Sequence, residues 1–358
     1  MRLISLLTAA CALSLAAYAE KLPPLPKDAF TYVCIPDTQH YREKDSKSLG
    51  RHVVRNPSFD SRVDWIAAHV DSERIFFVSH MGDITDSNKR PQWEFASAAM
   101  GRLEGKVPFA IAPGNHDQQP NNKAVGDTSM FSEFFPKSRF AKFPWYADCF
   151  PGYTNSYGVF VGGNNANSCQ LVDVGKYRFV LLHVENNAPR PVLDWVDDVL
   201  ERYRDRTAII ATHVFLGFIN QKDRTDALKA NPQPQPRREQ LGLVKWCKRH
   251  GREATSGEKM WREHFSRHRN VRLIVNGDQG NVITHHEVLT GVDGNRVDAF
   301  IQDYPKEKNS DWIRLFRFQP NEGIIEVYTY SPQADSLCDG VPLWPEAKWH
   351  RFTIPFGR

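Results

Sequence analysis

Apolar and β-branched residues along the chain fall into short runs, each the length of a buried strand, with helix-like stretches between them. The runs TYVCIP (31–36), IFFVSHMG (75–82), PFAIAPG (108–114), TAIIAT (207–212) and LIVNG (273–277) carry almost no polar alternation, as strands covered on both faces do. Between them lie SRVDWIAAHV (61–70), QWEFASAAMGRL (92–103), PVLDWVDDVLERYRD (191–205) and GEKMWREHFSRH (257–268). Their apolar spacing is helical, and Thr255 with Glu258 fits a capping box at the start of the last one. This alternation predicts an α/β fold built on a largely parallel, buried sheet. Near the C-terminus, DWIRLFRFQP and GIIEVYTYS flank Pro320-Asn321-Glu322-Gly323, the pattern of a β-hairpin.

Composition adds bounds. The 358 residues are 41% hydrophobic and 25% charged, values of a folded chain with one large domain or two smaller ones. The formal net charge of +4 is too mild to argue for nucleic acid or an anionic membrane surface. Residues 1–19 combine Arg2, an apolar stretch and Ala17-Tyr18-Ala19, which reads as a secretory signal cleaved near Ala19. The stretch is short for a membrane anchor, and Thr8, Ala9 and Ala10 lack the large aliphatic residue of a lipoprotein site at Cys11. No later segment is long and apolar enough to span a bilayer, so the expectation is a mature chain that is secreted or periplasmic. Without Cys11 five cysteines remain, of which Cys34 reads as core and Cys149 with Cys169 as a candidate disulfide.

The candidate chemistry lies where the runs stop. They end in Asp37, in Asp83, in Asn115-His116-Asp117, in His213 and in Asp278. In an α/β sheet ligands gather at the carboxyl ends of strands, so five such endings describe one polar crevice. Each alone has a plainer explanation as a turn or a core histidine; together they point to a site. Carboxylates, an amide and imidazoles suit a hard or borderline divalent metal, and without clustered thiols a zinc finger or iron–sulfur site is excluded. The chain has no Walker loop, dinucleotide fingerprint or Gly-x-Ser-x-Gly elbow, and His285-His286-Glu287 is not a metalloprotease helix motif.

The blocks Asp37-x-Gln39, Gly82-Asp83-x-x-Asp86, Gly114-Asn115-His116-Asp117, a strand ending in His213, and Gly277-Asp278-Gln279-Gly280 resemble those of the calcineurin-like metallophosphoesterases, in particular a bacterial exported branch whose first block reads Asp-Thr-Gln. The resemblance implies two facing mixed β-sheets flanked by helices, a four-layer α/β/β/α sandwich over residues 28–332, with 333–358 packing on it as a C-terminal extension. It also implies one or two divalent ions (Mn, Mg, Fe, Zn or Ca) and hydrolysis of phosphate mono- or diesters, on a phosphorylated small molecule or polymer, by a metal-activated hydroxide. By the same resemblance Asp83 bridges two metals about 3.5 to 4 Å apart, Asp37 and Gln39 serve the first, and Asn115, His213 and Asp278 serve the second. His116 then faces the substrate as the acid for the leaving oxygen, oriented by Asp86.

One departure stands out: the family's last block is Gly-His-x-His, whereas here Asp278 and Gly280 replace the two imidazoles. Gln39 also stands where many members carry histidine. The first metal is therefore expected to bind loosely, with a preference for Mn, Mg or Ca over Zn. Rescue by His40, His285 or His286 needs a strand bend, because neighbouring strand residues face opposite ways. Asn155, Tyr157, His183 and Glu185 fit a substrate rim, with Trp93, Trp145 and Tyr153 as stacking surfaces. Two functions remain open at this point: an exported metal-dependent phosphoesterase, or a catalytically impaired member that binds a metal or a phosphorylated ligand.

Overall fold

A computed structural model describes residues 20–39, 41–46, 51–118, 125–230, 236–279, 283–304, 311–338 and 347–357. The signal reading of residues 1–19, His40 and Gly280 lie outside the described residues.

Strands β1 (Phe30–Ile35), β2 (Ile75–His80) and β3 (Phe109–Ile111) run parallel side by side. A second sheet holds β4 (Tyr146–Cys149), β5 (Ser168–Val174), β6 (Tyr177–Val184), β7 (Thr207–Thr212), β8 (Val271–Asn276), β9 (Ile283–Thr290) and β10 (Arg296–Asp303), in the order β9-β10-β8-β7-β6-β5-β4. Its middle four strands are parallel and β9, β5 and β4 antiparallel. The first sheet is completed by β11 (Ile313–Gln319), β12 (Ile324–Ser331), β13 (Ser336–Leu337) and β14 (Arg351–Pro355), with β11 antiparallel to β1. Both sheets are thus mixed. The β11–β12 hairpin turns through residues 320–323, as its sequence predicts. Near the C-terminus β13 and β14 both pair with β12.

The four layers follow from the two-residue period of the strands. In β1, Tyr32 and Cys34 point to the interface between the sheets, whereas Val33 and Ile35 point outward. In β8, Leu273 and Val275 meet the interface and Ile274 the opposite face. Neither face touches water, so the runs read as continuously apolar. The outer face of the first sheet is covered by α1 (Pro57–His69) and α2 (Arg90–Gly101), and that of the second by α3 (Arg190–Arg202) and a later helix, Gly257–Glu263. Helix α1 starts where the Asn56 side chain accepts the Phe59 N–H at 3.1 Å, and it buries Phe59, Val63 and Ile66. Each such side chain contributes about 1.5 to 3 kcal/mol.

Two expectations are corrected. Helix Gly257–Glu263 is capped by Ser256, which accepts the Lys259 N–H, and not by a Thr255–Glu258 box; the start lies one residue later because the Thr255 N–H is drawn to the Asn187 carbonyl. Cys149 and Cys169 are thiols. In the β4–β5 register Cys149 opposes Ser168 and Cys169 opposes Asp148, so the two sulfurs leave opposite faces of the ribbon and are not placed to join.

Candidate metal centre

All five motif-bearing turns leave the carboxyl ends of parallel strands: β1, β2 and β3 in one sheet, β7 and β8 in the other. The facing sheets bring these turns to one edge. Two glycines allow the close approach. A Cβ on Gly114 would lie 2.2 Å from Asp83 Oδ1, and one on Gly277 would lie 2.2 Å from Asp37 Oδ1. Asp83 (φ 48°) and Asp278 (φ 64°) sit in the left-handed region, a strained conformation for non-glycine residues that concentrates at functional sites.

Asp37, Asp83 and His213 are all buried, each presenting one donor atom within 4.8 Å of the others. His213 Nδ1 donates to the Met81 carbonyl at 2.8 Å, which fixes the tautomer and leaves the Nε2 lone pair inward. Nε2 lies 3.1 Å from Asp83 Oδ1 and 3.8 Å from Asp278 Oδ1, at angles that make no hydrogen bond among the described residues. A buried lone pair facing two carboxylates calls for a positive charge between them. The electrostatics agree. When no cation supplies that charge a proton does: burial would lower the His213 imidazole, but Asp83 and Asp37 push it up to about 10, and burial and the neighbouring carboxylates raise Asp37 to about 7 against the pull of His213. This donor set, two carboxylates and one oriented imidazole nitrogen, fits a divalent cation. Gln39 stands beside it, its amide Nε2 donating to Asp83 Oδ2.

Asn115 and Asp278 meet a different partner, one that no motif announced. Lys248 Nζ donates to Asn115 Oδ1 at 2.7 Å and to Asp278 Oδ1. Arg224, on the helix Gln221–Lys229, brings its guanidinium within 3.9 Å of the same Asp278 oxygen. Burial lowers the Lys248 ammonium, while Lys248 and Arg224 hold Asp278 far below the usual carboxylate range against its own burial. Gln279 fixes the turn: its amide donates to Asp278 Oδ2 at 2.8 Å and accepts the Phe218 N–H at 3.1 Å. In the sequence, Lys248 is one member of the basic stretch KWCKRHGRE, whose composition gives no sign of which residue turns inward.

Around this core, the His116 N–H donates to Asp83 Oδ1 at 2.8 Å, and its ring Nδ1 donates to the backbone carbonyl of Asp86. The Asp86 carboxylate lies 3.8 Å from the same nitrogen, at ion-pair distance but beyond hydrogen-bond reach. His116 is part-exposed with Nε2 directed away from that bond. Asp117 accepts N–H bonds from Ile84, Thr85 and Gly114, tying the two metal-facing turns together.

The expected rim is mostly absent. Trp93 is wholly buried with its indole N–H on Asn88. His183 lies between the sheets, bonded to Ser79 and Gln170, and burial lowers it to about 3. Trp145 packs against the helix-covered face of the first sheet. Asn155 closes its own 155–159 turn, and Glu185 is buried among Gln118, Asn167 and His250. Tyr153 bonds Glu253; Tyr157 accepts the Arg252 N–H and is 44% exposed. His285 and His286 pair with Glu287 and Asp298 and take no place in the site.

Comparison with known proteins agrees with this architecture. The family profile described as calcineurin-like phosphoesterase matches residues 30–281. The Bacillus subtilis (strain 168) protein YvnB is 24% identical over 321 residues, which cover 87% of this chain and 20% of that protein; this chain therefore spans about a fifth of that relative's length. Among solved structures, the purple acid phosphatase from yellow lupin (Lupinus luteus) superposes with a TM-score of 0.51 at 12% identity, over 94% of this chain and 55% of that one. A dimetal phosphatase from Danio rerio gives a TM-score of 0.45 at 14% identity, over 94% of this chain and 100% of the other.

Proposed function

The chain belongs to the calcineurin-like phosphoesterase family, and from that premise we propose that it is an exported, metal-dependent phosphoesterase acting on phosphate mono- or diesters in the crevice described above. The observation that carries the reading is the His213 Nε2 atom, buried against Asp83 and Asp278 with no hydrogen bond among the described residues. Asp37, Asp83 and His213, with Gln39 beside them, would hold a divalent ion. Such an ion supplies a nucleophile by lowering the pKa of bound water, and it screens the phosphoryl oxygens.

The chain's own residues do the rest. Gly114 and Gly277 let Asp83 and Asp37 close on the site, and Asp117 keeps the Asp83 and His116 turns in register. His116, held through Nδ1 by the Asp86 carbonyl, presents Nε2 to hand a proton to the departing ester oxygen, a role worth roughly 100- to 10,000-fold. Lys248 and Arg224 place positive charge on the side where Asn115 and Asp278 stand. With residues 1–19 read as a cleaved secretory signal, the proposal is of a secreted or periplasmic enzyme.

The test is hydrolysis of p-nitrophenyl phosphate and bis-p-nitrophenyl phosphate by the mature chain, with chelator and with manganese. Metal-stimulated turnover of either supports the reading. The same Lys248 contacts favour a second reading, a binding protein without turnover, because they occupy two donors that the family's centre gives to metal. Phosphate-ester binding by calorimetry with no hydrolysis in manganese, magnesium, calcium, iron or zinc selects it.

A further inference from the structure

The donors of the centre fall into two groups. Asp37, Asp83 and His213 converge, and the imidazole nitrogen among them makes no hydrogen bond among the described residues. Asn115 and Asp278 are already committed: Asn115 Oδ1 and Asp278 Oδ1 both accept from Lys248 Nζ, the Asn115 carbonyl accepts from Arg249 Nε at 2.8 Å, and Asp278 Oδ2 accepts from Gln279. We infer that the Lys248 ammonium stands where a two-metal centre would place its second ion, so that this chain binds one divalent metal and supplies the second positive charge itself.

Three further observations support this assignment. First, the lysine is held in place. Its N–H donates to Asn187 Oδ1 at 2.9 Å, its carbonyl accepts from Asn186 Nδ2 at 3.2 Å, and its ammonium lies 5.3 Å from the Trp246 ring centroid, leaving the side chain 17% exposed. Asn186 and Asn187 lie in the loop that leaves the end of β6 at Val184, so the second sheet aims the residue. Second, the charges match. A carboxylate at position 278 pairs with an ammonium as a neutral imidazole would not, and Arg224 adds a further cation beside it. Third, the balance of buried charge suits a single ion. Asp37, Asp83 and Asp278 carry three negative charges, against which one divalent ion with Lys248 and Arg224 leaves a single positive charge in excess; a second divalent ion would raise that excess by two in a buried site.

Two Lys248 N–H groups are used by Asn115 and Asp278, and the third has no partner among the described residues. Arg224 Nε is likewise buried without one among the described residues. On the phosphoesterase reading, on which this part rests, these N–H groups receive phosphoryl oxygens.

The test is a metal count that needs no substrate. The mature chain and its Lys248→Ala and Lys248→Met variants are equilibrated with manganese, freed of excess and analysed by elemental analysis and electron paramagnetic resonance. The expected result is one ion per wild-type chain with the six-line signal of isolated manganese, and two ions per variant chain with an exchange-coupled signal. Lys248→Met keeps the packing on Trp246 should the alanine variant unfold, as circular dichroism would show. Two ions in the wild type overturn the inference, as does one ion in the wild type and in both variants. Failure of the catalytic reading looks different: one bound ion without turnover sinks the activity and leaves Lys248 in its role, whereas turnover with two ions does the reverse.

Discussion

Replacing Gly277 by alanine tests how the centre is assembled, because the added methyl has one place to go. Its carbon would lie 2.2 Å from Asp37 Oδ1, 3.2 Å from the Met81 carbonyl oxygen and 3.4 Å from Asp37 Cγ. Ordinary contact is near about 3.5 Å, so the carboxylate must retreat by roughly 1 Å. The retreat also lengthens the 3.2 Å bond from the Asp278 N–H to Asp37 Oδ1. Overpacking of this kind costs about 1 to 3 kcal/mol. With an unfolding entropy of about 2.1 cal/mol/K per residue, that is a fall in Tm of about 1 to 4 °C. The more telling change is in metal binding, since Asp37 moves and Asp83 does not. The assay is thermal unfolding with and without manganese, beside a calorimetric manganese titration. The wild type should show a clear manganese-dependent rise in Tm and Gly277→Ala a smaller one, with affinity at least tenfold weaker. Gly357→Ala is the control, since a Cβ there meets nothing within 4 Å. Equal Tm and equal manganese affinity in Gly277→Ala and wild type would refute the close-approach argument.

His116→Asn should lower kcat by 100-fold or more while manganese content and Tm stay unchanged, as steady-state kinetics and elemental analysis would show; retained turnover removes the histidine from the chemistry. Asp83→Asn should abolish tight manganese binding in equilibrium dialysis, because the substitution removes the charge that both His116 and His213 face. Arg317→Ala should cost about 3 to 5 kcal/mol in urea unfolding, since its guanidinium is fully buried in a two-pronged bond with Glu73 that would be left uncompensated. Asp197 carries an acid-range signature. Burial alone would raise it, but hydrogen bonds from His264 and His268 hold it at about 2. A depressed carboxyl adds stability above its unfolded value, near about 3.9, and loses it as pH falls toward 2. The wild type should therefore lose more stability than Asp197→Asn between pH 4 and 2.

The five strand endings were legible because both faces of each strand are buried, which writes the strands as apolar runs and makes any polar residue at their ends conspicuous. Asp37, Asp83, Asn115, His213 and Asp278 meet in space for that reason. Lys248 and Arg224 were not legible. Lys248 turns inward only because Asn186 and Asn187 hold its backbone from a strand 60 residues earlier in the chain, and single-sequence patterns carry no trace of such a contact. Trp93 and His183 misled for the converse reason. Both residue types serve substrates and cores alike, and only the packing of α2 and of the two sheets shows that these are core. The helix cap at Ser256 was displaced by one residue because a tertiary bond competed for Thr255.

The Asp278 N–H to Asp37 Oδ1 bond joins positions 241 residues apart, across two sheets whose shared interior is largely apolar. An ion held by Asp37, Asp83 and His213 would fasten the same seam, and so behave as a removable cross-link between the two sheets. Closing so long a loop is slow, and undoing it frees a long segment. The lifetime of the folded protein would then follow how fast the ion leaves, with calcium- or manganese-rich surroundings lengthening it and chelating ones shortening it.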